Sequence, residues 1–217
     1  MTLMEKIHRR LRPYAKERGL QRKGRSYYTI TEDTAYCVSF ENHTHDVYVH
    51  FYLMPLYMRE ENHILTYGER LNTLFRKKMP SLEKTASEEE IDAWVAIVTG
   101  IIDSYVLSFF RQVGSPEKLL NFLALSWDVQ KSYFSCPPHQ RLRLKSYTLL
   151  YLRRRTEARG AIEAYRAELG QCGFLMDRII KSCHEEADEL ESMLSWTDEK
   201  LDAFFTEAAA FTKSACF

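Results

Sequence analysis

Apolar residues recur along the chain with two different periods, and each period predicts a different kind of element. Leu3, Ile7 and Leu11 are spaced by four residues among charged positions, which is typical of an amphipathic helix over residues 2–18. Gly19 fits the position that ends such a helix. Pro13 lies inside the pattern, so we expect either one kinked helix or two shorter ones. Residues 21–25 follow as an exposed connector.

An alternating pattern replaces the helical one between residues 27 and 54. Apolar residues occupy every second position in this stretch, which predicts strands at residues 27–31, 36–41 and 47–54. The connections between them have hairpin length, so we expect an antiparallel meander whose aliphatic face packs on the core. A further short strand is expected around residues 63–66.

Helical periodicity returns after Gly68 and continues to the end of the chain. Pro80 is expected to end a first helix, and Ser87 with Glu90 forms a capping box for the next one, which carries the densest apolar face of the sequence. Ser115 and Pro116 begin another helix, through residue 125. Further helical patterns cover residues 139–154, 157–170, 174–195 and 198–214.

These elements predict an α+β protein. A small antiparallel β-meander packed on helices should occupy residues 1–125, and an all-α helical bundle residues 126–217. The two parts either form separate domains or pack as one unit. With 217 residues, of which 45% are hydrophobic, the chain has enough apolar side chains for either arrangement.

Charge is balanced over the whole chain but not along it. Thirty basic and thirty acidic residues leave no net charge that would argue for nucleic acid or a membrane as the partner. Residues 1–30, however, contain nine basic and two acidic side chains, whereas residues 185–207 contain nine acidic and one basic. The two ends therefore offer oppositely charged surfaces for contact within the chain or across a homodimer.

The cysteines and the first residues of the chain give an expectation for the cellular compartment. The five cysteines are scattered and never spaced as C-x-x-C, so neither a disulfide framework nor a zinc site is predicted. No stretch of about 18 apolar residues is present, and the first residues lead directly into a charged helix. We expect a cytoplasmic protein without a membrane segment or a bound cofactor.

The N-terminal part is similar to a known family in a short set of motifs. A basic helix ends at Gly19-Leu20, a Lys/Arg-Gly connector follows at Arg22-Lys23-Gly24-Arg25, and the aromatic pair Tyr27-Tyr28 opens a strand. Downstream, an apolar helix is followed by Gly114-Ser115-Pro116. In these features residues 1–125 resemble the bacterial family known as domain of unknown function 4304. The resemblance implies the α+β fold class and no assigned activity.

Three histidines form the best candidate for a metal site. His43 and His45 lie two residues apart in a predicted turn, and His50 lies in the strand that follows. Imidazole nitrogens bind divalent transition metals at about 2.0–2.1 Å in shells of three or four ligands. The spacing thus permits a metal-dependent enzyme, although a hairpin tip more commonly exposes such histidines to solvent.

The connector after the first helix is the best candidate for an anion-binding or partner-binding surface. Its basic side chains beside two aromatic rings are typical of a site that contacts phosphates and stacks bases. The residues concerned are Arg18, Arg22, Lys23, Arg25, Tyr27 and Tyr28. Two simpler interpretations compete: a solvated basic face, or one neutralised by the acidic helices of residues 185–207.

No motif argues for an enzyme. Cys183 and His184 are adjacent on a predicted helix and point about 100° apart, so they cannot form a catalytic pair. Phosphate-loop, dinucleotide, metalloprotease and calcium-loop patterns are absent from the sequence. Our leading hypothesis is a non-enzymatic protein-interaction module that binds a protein partner or itself. A deep pocket lined by converging titratable groups would favour an enzyme instead.

Overall fold

The computed structural model describes residues 1–44, 46–62, 67–134, 136–173 and 176–217. Its described residues belong to two units, each assembled from separate segments of the chain. Unit 1 lies within Met1–Met54, Ile64–Gly114 and Lys131–Ser135, and unit 2 within Pro55–His63, Ser115–Gln130 and Cys136–Phe217. The boundary at residue 125 stays a prediction.

A five-stranded antiparallel sheet in sequence order follows the first helix, and the α+β fold class is confirmed. Its strands are Gln21–Lys23 (β1), Ser26–Ile30 (β2), Thr34–Asn42 (β3), Val47–Pro55 (β4) and Gly68–Arg70 (β5). The interpretation of residues 21–25 as a connector is wrong, because three of these residues pair with β2 as an edge strand. The strand expected around residues 63–66 lies outside the described residues.

The first helix is a single element, Leu3–Glu17 (α1), and Pro13 does not divide it. Its start is fixed by a capping box, in which the Thr2 side chain accepts from the Glu5 amide and the Glu5 carboxylate from the Thr2 amide. Ile7 and Leu11 are buried on one face, whereas Pro13 lies on the exposed face. The apolar stripe therefore packs α1 as one piece despite the proline.

The long apolar helix of unit 1 begins where its capping box predicts. Ser87 and Glu90 bond reciprocally at 2.7 and 3.2 Å. The helical elements of this part are Leu71–Leu74 (α2), Glu88–Ile101 (α3), a π-helical turn at Ile102–Val106, and Leu107–Gln112 (α4). Buried aromatic rings of α3 and α4 pack with those of the sheet, Trp94 on Phe40 and Phe109 on Phe51.

By length and composition, the stretch Glu88–Gln112 is the one helix among the described residues that could cross a membrane. Its apolar side chains are used inside the fold, since Ile91, Val98 and Phe109 have no exposed surface. Its first turn carries three glutamates. These residues of the helix pack in the core of unit 1.

The described elements of unit 2 are helical, as predicted. They are Pro116–Leu123 (α5), Trp127–Gln130 (α6), Pro138–Tyr151 (α7), Arg155–Leu169 (α8), Asp177–Met193 (α9) and Asp198–Cys216 (α10). Segment 55–62 also belongs to this unit. The Tyr57 hydroxyl lies 2.9 Å from Thr148 Oγ1, and the Glu60 amide donates to Thr212 Oγ1 at 3.0 Å.

Candidate functional site

The candidate surface of unit 1 is built around the hairpin of β1 and β2. Lys23 pairs with Ser26, which leaves a two-residue loop of Gly24 and Arg25. Gly24 has φ +58°, a conformation that this kind of loop needs and that side-chain-bearing residues rarely adopt. All three residues of β1 are exposed, and its outer side pairs with no other described strand.

The two tyrosines of the predicted connector site are core residues of β2. Tyr27 is 4% exposed and Tyr28 is 6% exposed. The Tyr27 hydroxyl lies 3.0 Å from His8 Nδ1, and the Tyr27 ring packs edge-on against Phe40. Their ring faces are therefore part of the packing and do not offer a surface on which bases could stack.

Arg18 is held by a carboxylate of its own unit. Its Nε and Nη2 donate to the two oxygens of Asp103 at 3.0 and 2.9 Å, and the Tyr14 hydroxyl donates to Asp103 at 2.8 Å. Asp103 lies in the π-helical turn between α3 and α4. These hydrogen bonds lower the pKa of Asp103 and raise that of Arg18, so Arg18 is committed to an internal ion pair.

The nine cations of residues 1–30 divide into a paired and an unpaired set. Lys6, Arg9 and Arg10 all bind the Glu88 carboxylate at the start of α3. With Arg18 they make four paired cations. The remaining five are exposed and form no salt bridge within the described part of the chain: Arg12, Lys16, Arg22, Lys23 and Arg25. We call these five residues the basic edge.

Electrostatic effects on buried neighbours show that α1 and β1 contribute to one surface. Burial, as the main cause, and the charge of Arg22 together lower the pKa of His8 to about 4. Burial raises the pKa of Tyr27, whereas the charges of Arg22 and Arg12 oppose that rise. Lys16 follows Arg12 by one turn of α1. The Arg22 guanidinium lies 6.0 Å from the Tyr27 ring centre, and its Nε donates to the Gly24 carbonyl oxygen at 2.9 Å.

Sequence reasoning missed Arg12 and Lys16 as members of this surface. The available signal was their spacing, because residues four apart on a helix lie on one face. Arg12 directly follows the buried Leu11 and Lys16 directly follows the buried Ala15, which places both at the border of the packed stripe. A helix that packs on a sheet brings such border residues close to the strands.

Of the predicted metal-binding histidines, His43 directly follows β3 and His50 lies within β4. His43 is exposed and His50 is 8% exposed, whereas His45 lies outside the described residues. The Nε2 atoms of His43 and His50 are each 3.4 Å from the same oxygen of Glu41. Within the described ranges, no group of three His, Cys, Asp or Glu side chains is placed to hold a metal ion.

The surroundings of His50 are those of a neutral, buried imidazole. Burial lowers its pKa, Glu41 opposes this, and the charge of Arg70 across the strand pair adds to the lowering. Asp46, which the sequence places near the histidines, instead accepts hydrogen bonds from the Leu82 amide at 2.9 Å and from the Ser81 hydroxyl at 3.2 Å. The turn is thereby tied to the chain before α3.

The acidic helices of residues 185–207 pair with arginines of their own unit. Arg143 binds Glu186, and Arg166 binds both Asp188 and Glu191. Arg153 and Arg155 bind Asp198 at the start of α10, and Arg153 also binds Asp202. Part of the acidic charge of residues 185–207 is therefore paired within unit 2.

Unit 2 contains a polar cavity of about 530 Å³ that the sequence did not predict. Arg143 lies in its wall between two carboxylates, with Nε 2.8 Å from Glu186 and Nη1 2.9 Å from Glu60. The hydroxyls of Tyr147 and Tyr165 donate to Glu186 at 3.0 and 3.3 Å. These groups satisfy one another, and the half-buried Cys183 beside them contacts the same cavity.

We call the network of Glu60, Arg143 and Glu186 the clamp, because it holds separate segments of unit 2 together. Burial raises the pKa of Glu60, while the charge and hydrogen bond of Arg143 oppose that rise. Glu60 lies in segment 55–62, whereas Arg143 and Glu186 lie on α7 and α9, so the ion pairs tie that segment to two helices. Removing one partner of such an ion pair leaves the other charges uncompensated and strongly destabilises the fold.

Comparison with protein-family models, with curated proteins and with solved structures finds no match to this chain. The resemblance of residues 1–125 to domain of unknown function 4304 therefore stays a prediction.

Proposed function

We propose that this protein is a non-enzymatic interaction module whose basic edge binds an acidic segment of a partner protein. The observation that carries the proposal is the set of five exposed cations that form no salt bridge among the described residues. They lie next to an edge strand whose outer side pairs with no other described strand. Such an edge can add an extended segment through backbone hydrogen bonds, and the side chains select its charge.

The same features argue for a partner other than a second copy. Antiparallel pairing of two β1 strands would bring Arg22 and Lys23 of one copy opposite the same residues of the other. Like charges directly opposite each other destabilise a strand pair. Lysine and arginine on edge strands are indeed a common device against self-association. An acidic strand relieves this repulsion, so we favour a heterotypic contact over the homodimer.

Nucleic acid is the second candidate, and the unpaired cations are the observation in its favour. Phosphate contacts alone give binding that depends strongly on salt and little on sequence. The burial of Tyr27 and Tyr28 removes the aromatic surface that single-strand binders use for stacking. The peptide proposal is favoured because it also uses the free edge of β1.

The compartment is a further part of the proposal. All five cysteines are free thiols, and four of them are buried. Free thiols persist in reducing compartments. Together with the absence of a disulfide framework, this supports the cytoplasm as the site of action.

Fluorescence anisotropy with a labelled peptide of alternating Glu and Val residues tests the proposal. The triple variant R22E/K23E/R25E should weaken binding by at least about tenfold, because three attractive charges become repulsive. The matched control is R76E/K77E/K78E, which changes the same number of exposed charges in the same unit and should bind as the wild type does. N-methylation of alternate peptide residues should also weaken binding.

Two results would overturn the proposal. Equal effects of both triple variants would show that only net charge matters. The nucleic-acid alternative would be established if single-stranded DNA or RNA of matched charge bound more tightly than the peptide. This binding would have to be lost in R22E/K23E/R25E only, which would place it at the same surface.

A further inference from the structure

A second, smaller pocket lies wholly within unit 2, between α6 with the residues before it and the first turns of α7. Its volume is about 230 Å³. Its walls are mainly apolar, and two cations stand in the lining: Leu123, Gln130, Pro138, Arg141, Leu142 and Lys145. Neither the sequence pattern nor the proposed function accounts for it.

Gln130 lines this pocket and carries a buried hydrogen-bond acceptor that no described residue uses. The residue is 4% exposed, and its Nε2 donates to the carbonyl oxygens of Leu123 at 3.1 Å and Leu125 at 2.6 Å. Exchanging the amide oxygen and nitrogen would place an oxygen against these two oxygens, so the hydrogen bonds fix the orientation. Oε1 is then buried with no hydrogen-bond partner among the described residues. A buried acceptor without a donor is uncommon and calls for an explanation.

The two cations of the lining lie on one face of α7. Arg141 and Lys145 are four residues apart on α7, and neither forms a salt bridge to a described residue. The Arg141 guanidinium stacks on the ring of Trp127, with 3.9 Å between its central carbon and the ring centre. This contact holds the guanidinium plane in place and leaves its edge able to bind an anion.

We propose that this pocket binds a small organic acid that has an apolar body and carries a hydrogen-bond donor. Its carboxylate would bind Arg141 and Lys145, its body would contact Leu123 and Leu142, and its hydroxyl or N–H group would donate to Gln130 Oε1. The three kinds of group follow from the lining, and the volume suits a compound of about ten non-hydrogen atoms. A hydroxyaryl or hydroxyalkyl carboxylate meets all three requirements.

Three related compounds separate these contributions when they are titrated into the full chain. 4-Hydroxyphenylacetate has the acid and the donor, phenylacetate lacks the donor, and 2-(4-hydroxyphenyl)ethanol lacks the charge. Isothermal titration calorimetry should show binding of the first below about 1 mM, and at least about tenfold weaker binding of each of the others.

Protein variants locate the binding. R141M should weaken binding of 4-hydroxyphenylacetate by about tenfold, because a charge-assisted contact is lost while the side-chain volume is kept. R178M removes an exposed arginine elsewhere in the unit and should leave it unchanged. Failure of all three compounds to bind the folded wild type at about 10 mM, or equal affinity of R141M and wild type, would overturn the proposal.

Discussion

The arginines of the two units are used in opposite ways. In unit 2, Arg143 is 14% exposed in its side chain and is bound by two carboxylates. In the basic edge of unit 1, Arg22 and Arg25 are exposed and form no salt bridge among the described residues. One arrangement holds chain segments together, whereas the other leaves charge available to a partner. The abundance of arginine in a segment therefore says little about its role until its neighbours are known.

The difference follows from desolvation. A cation removed from water must recover its hydration energy from partners, so a buried arginine needs carboxylates on more than one side. An exposed cation keeps its water and gains little from a salt bridge. We expect substitutions to separate the two classes, with effects on stability in unit 2 and effects on binding at the basic edge.

The largest effect should come from Arg143→Ala. The substitution leaves Glu60 and Glu186, whose side chains are 12% and 20% exposed, without their shared cation. Loss of one partner of a buried ion pair costs about 3–5 kcal/mol. Urea unfolding, followed by tryptophan fluorescence, measures the free energy of unfolding. Arg166→Ala is the control, since its partners Asp188 and Glu191 are exposed, and it should lose no more than about 1 kcal/mol.

The pH dependence of Arg143→Ala provides a second check. Without Arg143, the pKa of Glu60 in the folded state rises further above its ordinary value of 4.5. The folded state then binds more protons than the unfolded state in the window between the two values, so stability increases as pH falls through it. Part of the loss should therefore be recovered in acid. A deficit that is independent of pH would mean that the clamp acts through packing alone.

Glu88→Gln tests the paired cations of unit 1. Hydrogen bonds from Lys6 and Arg10 lower the pKa of Glu88 from 4.5 to about 2 in the folded state. The carboxylate thus contributes stability that is present above pH 4.5 and is lost as pH falls toward about 2. The free energy of unfolding of wild type should exceed that of E88Q at neutral pH, and the two should converge across this window. A constant difference would contradict the ion-pair assignment.

How far the sequence predicts this molecule depends on whether a feature is local. The capping boxes at Thr2 and Ser87 and the start of α5 at Ser115 are confirmed, because a cap is formed by residues three apart. The short strand β1 was missed because its three polar residues have no apolar alternation. What identifies it is pairing with β2, which a local pattern does not contain.

In the candidate site, too, contacts between residues far apart in the sequence could not be predicted. Exposure of Arg22, Lys23 and Arg25 follows from their sequence, but the pairing of Arg18 with Asp103 joins residues 85 positions apart. The burial of Tyr27 and the Glu60 to Arg143 clamp are likewise long-range results of packing. Charge counts along the chain predict a basic surface. Which of its cations form salt bridges depends on the fold.

A smaller effect on stability is expected from reversing the basic edge. R22E/K23E/R25E removes no salt bridge to a described residue, so the free energy of unfolding should change by no more than about 0.5 kcal/mol. K6E/R9E/R10E changes the same number of charges in the same segment, but it places three carboxylates beside Glu88 and should destabilise the protein clearly more. Chemical denaturation of both variants at equal ionic strength makes the comparison. Equal losses in the free energy of unfolding would show that the salt bridges of the paired cations do not stabilise the fold.

The smallest effect concerns the pKa of His8 beneath the basic edge. Burial, the main cause, and the charge of Arg22 together lower this pKa from 6.5 to about 4. Between these two pH values the unfolded state binds more protons than the folded state. The stability of the fold therefore decreases as pH falls through that window. Arg22→Gln removes the second cause and should raise the pKa of His8 while leaving it well below 6.5. NMR titration of the imidazole carbon protons measures this directly, with Lys78→Gln as a distant control. An unchanged His8 titration in R22Q would mean that Arg22 does not lie over the α1 and β2 contact, and the basic edge would then be two separate patches.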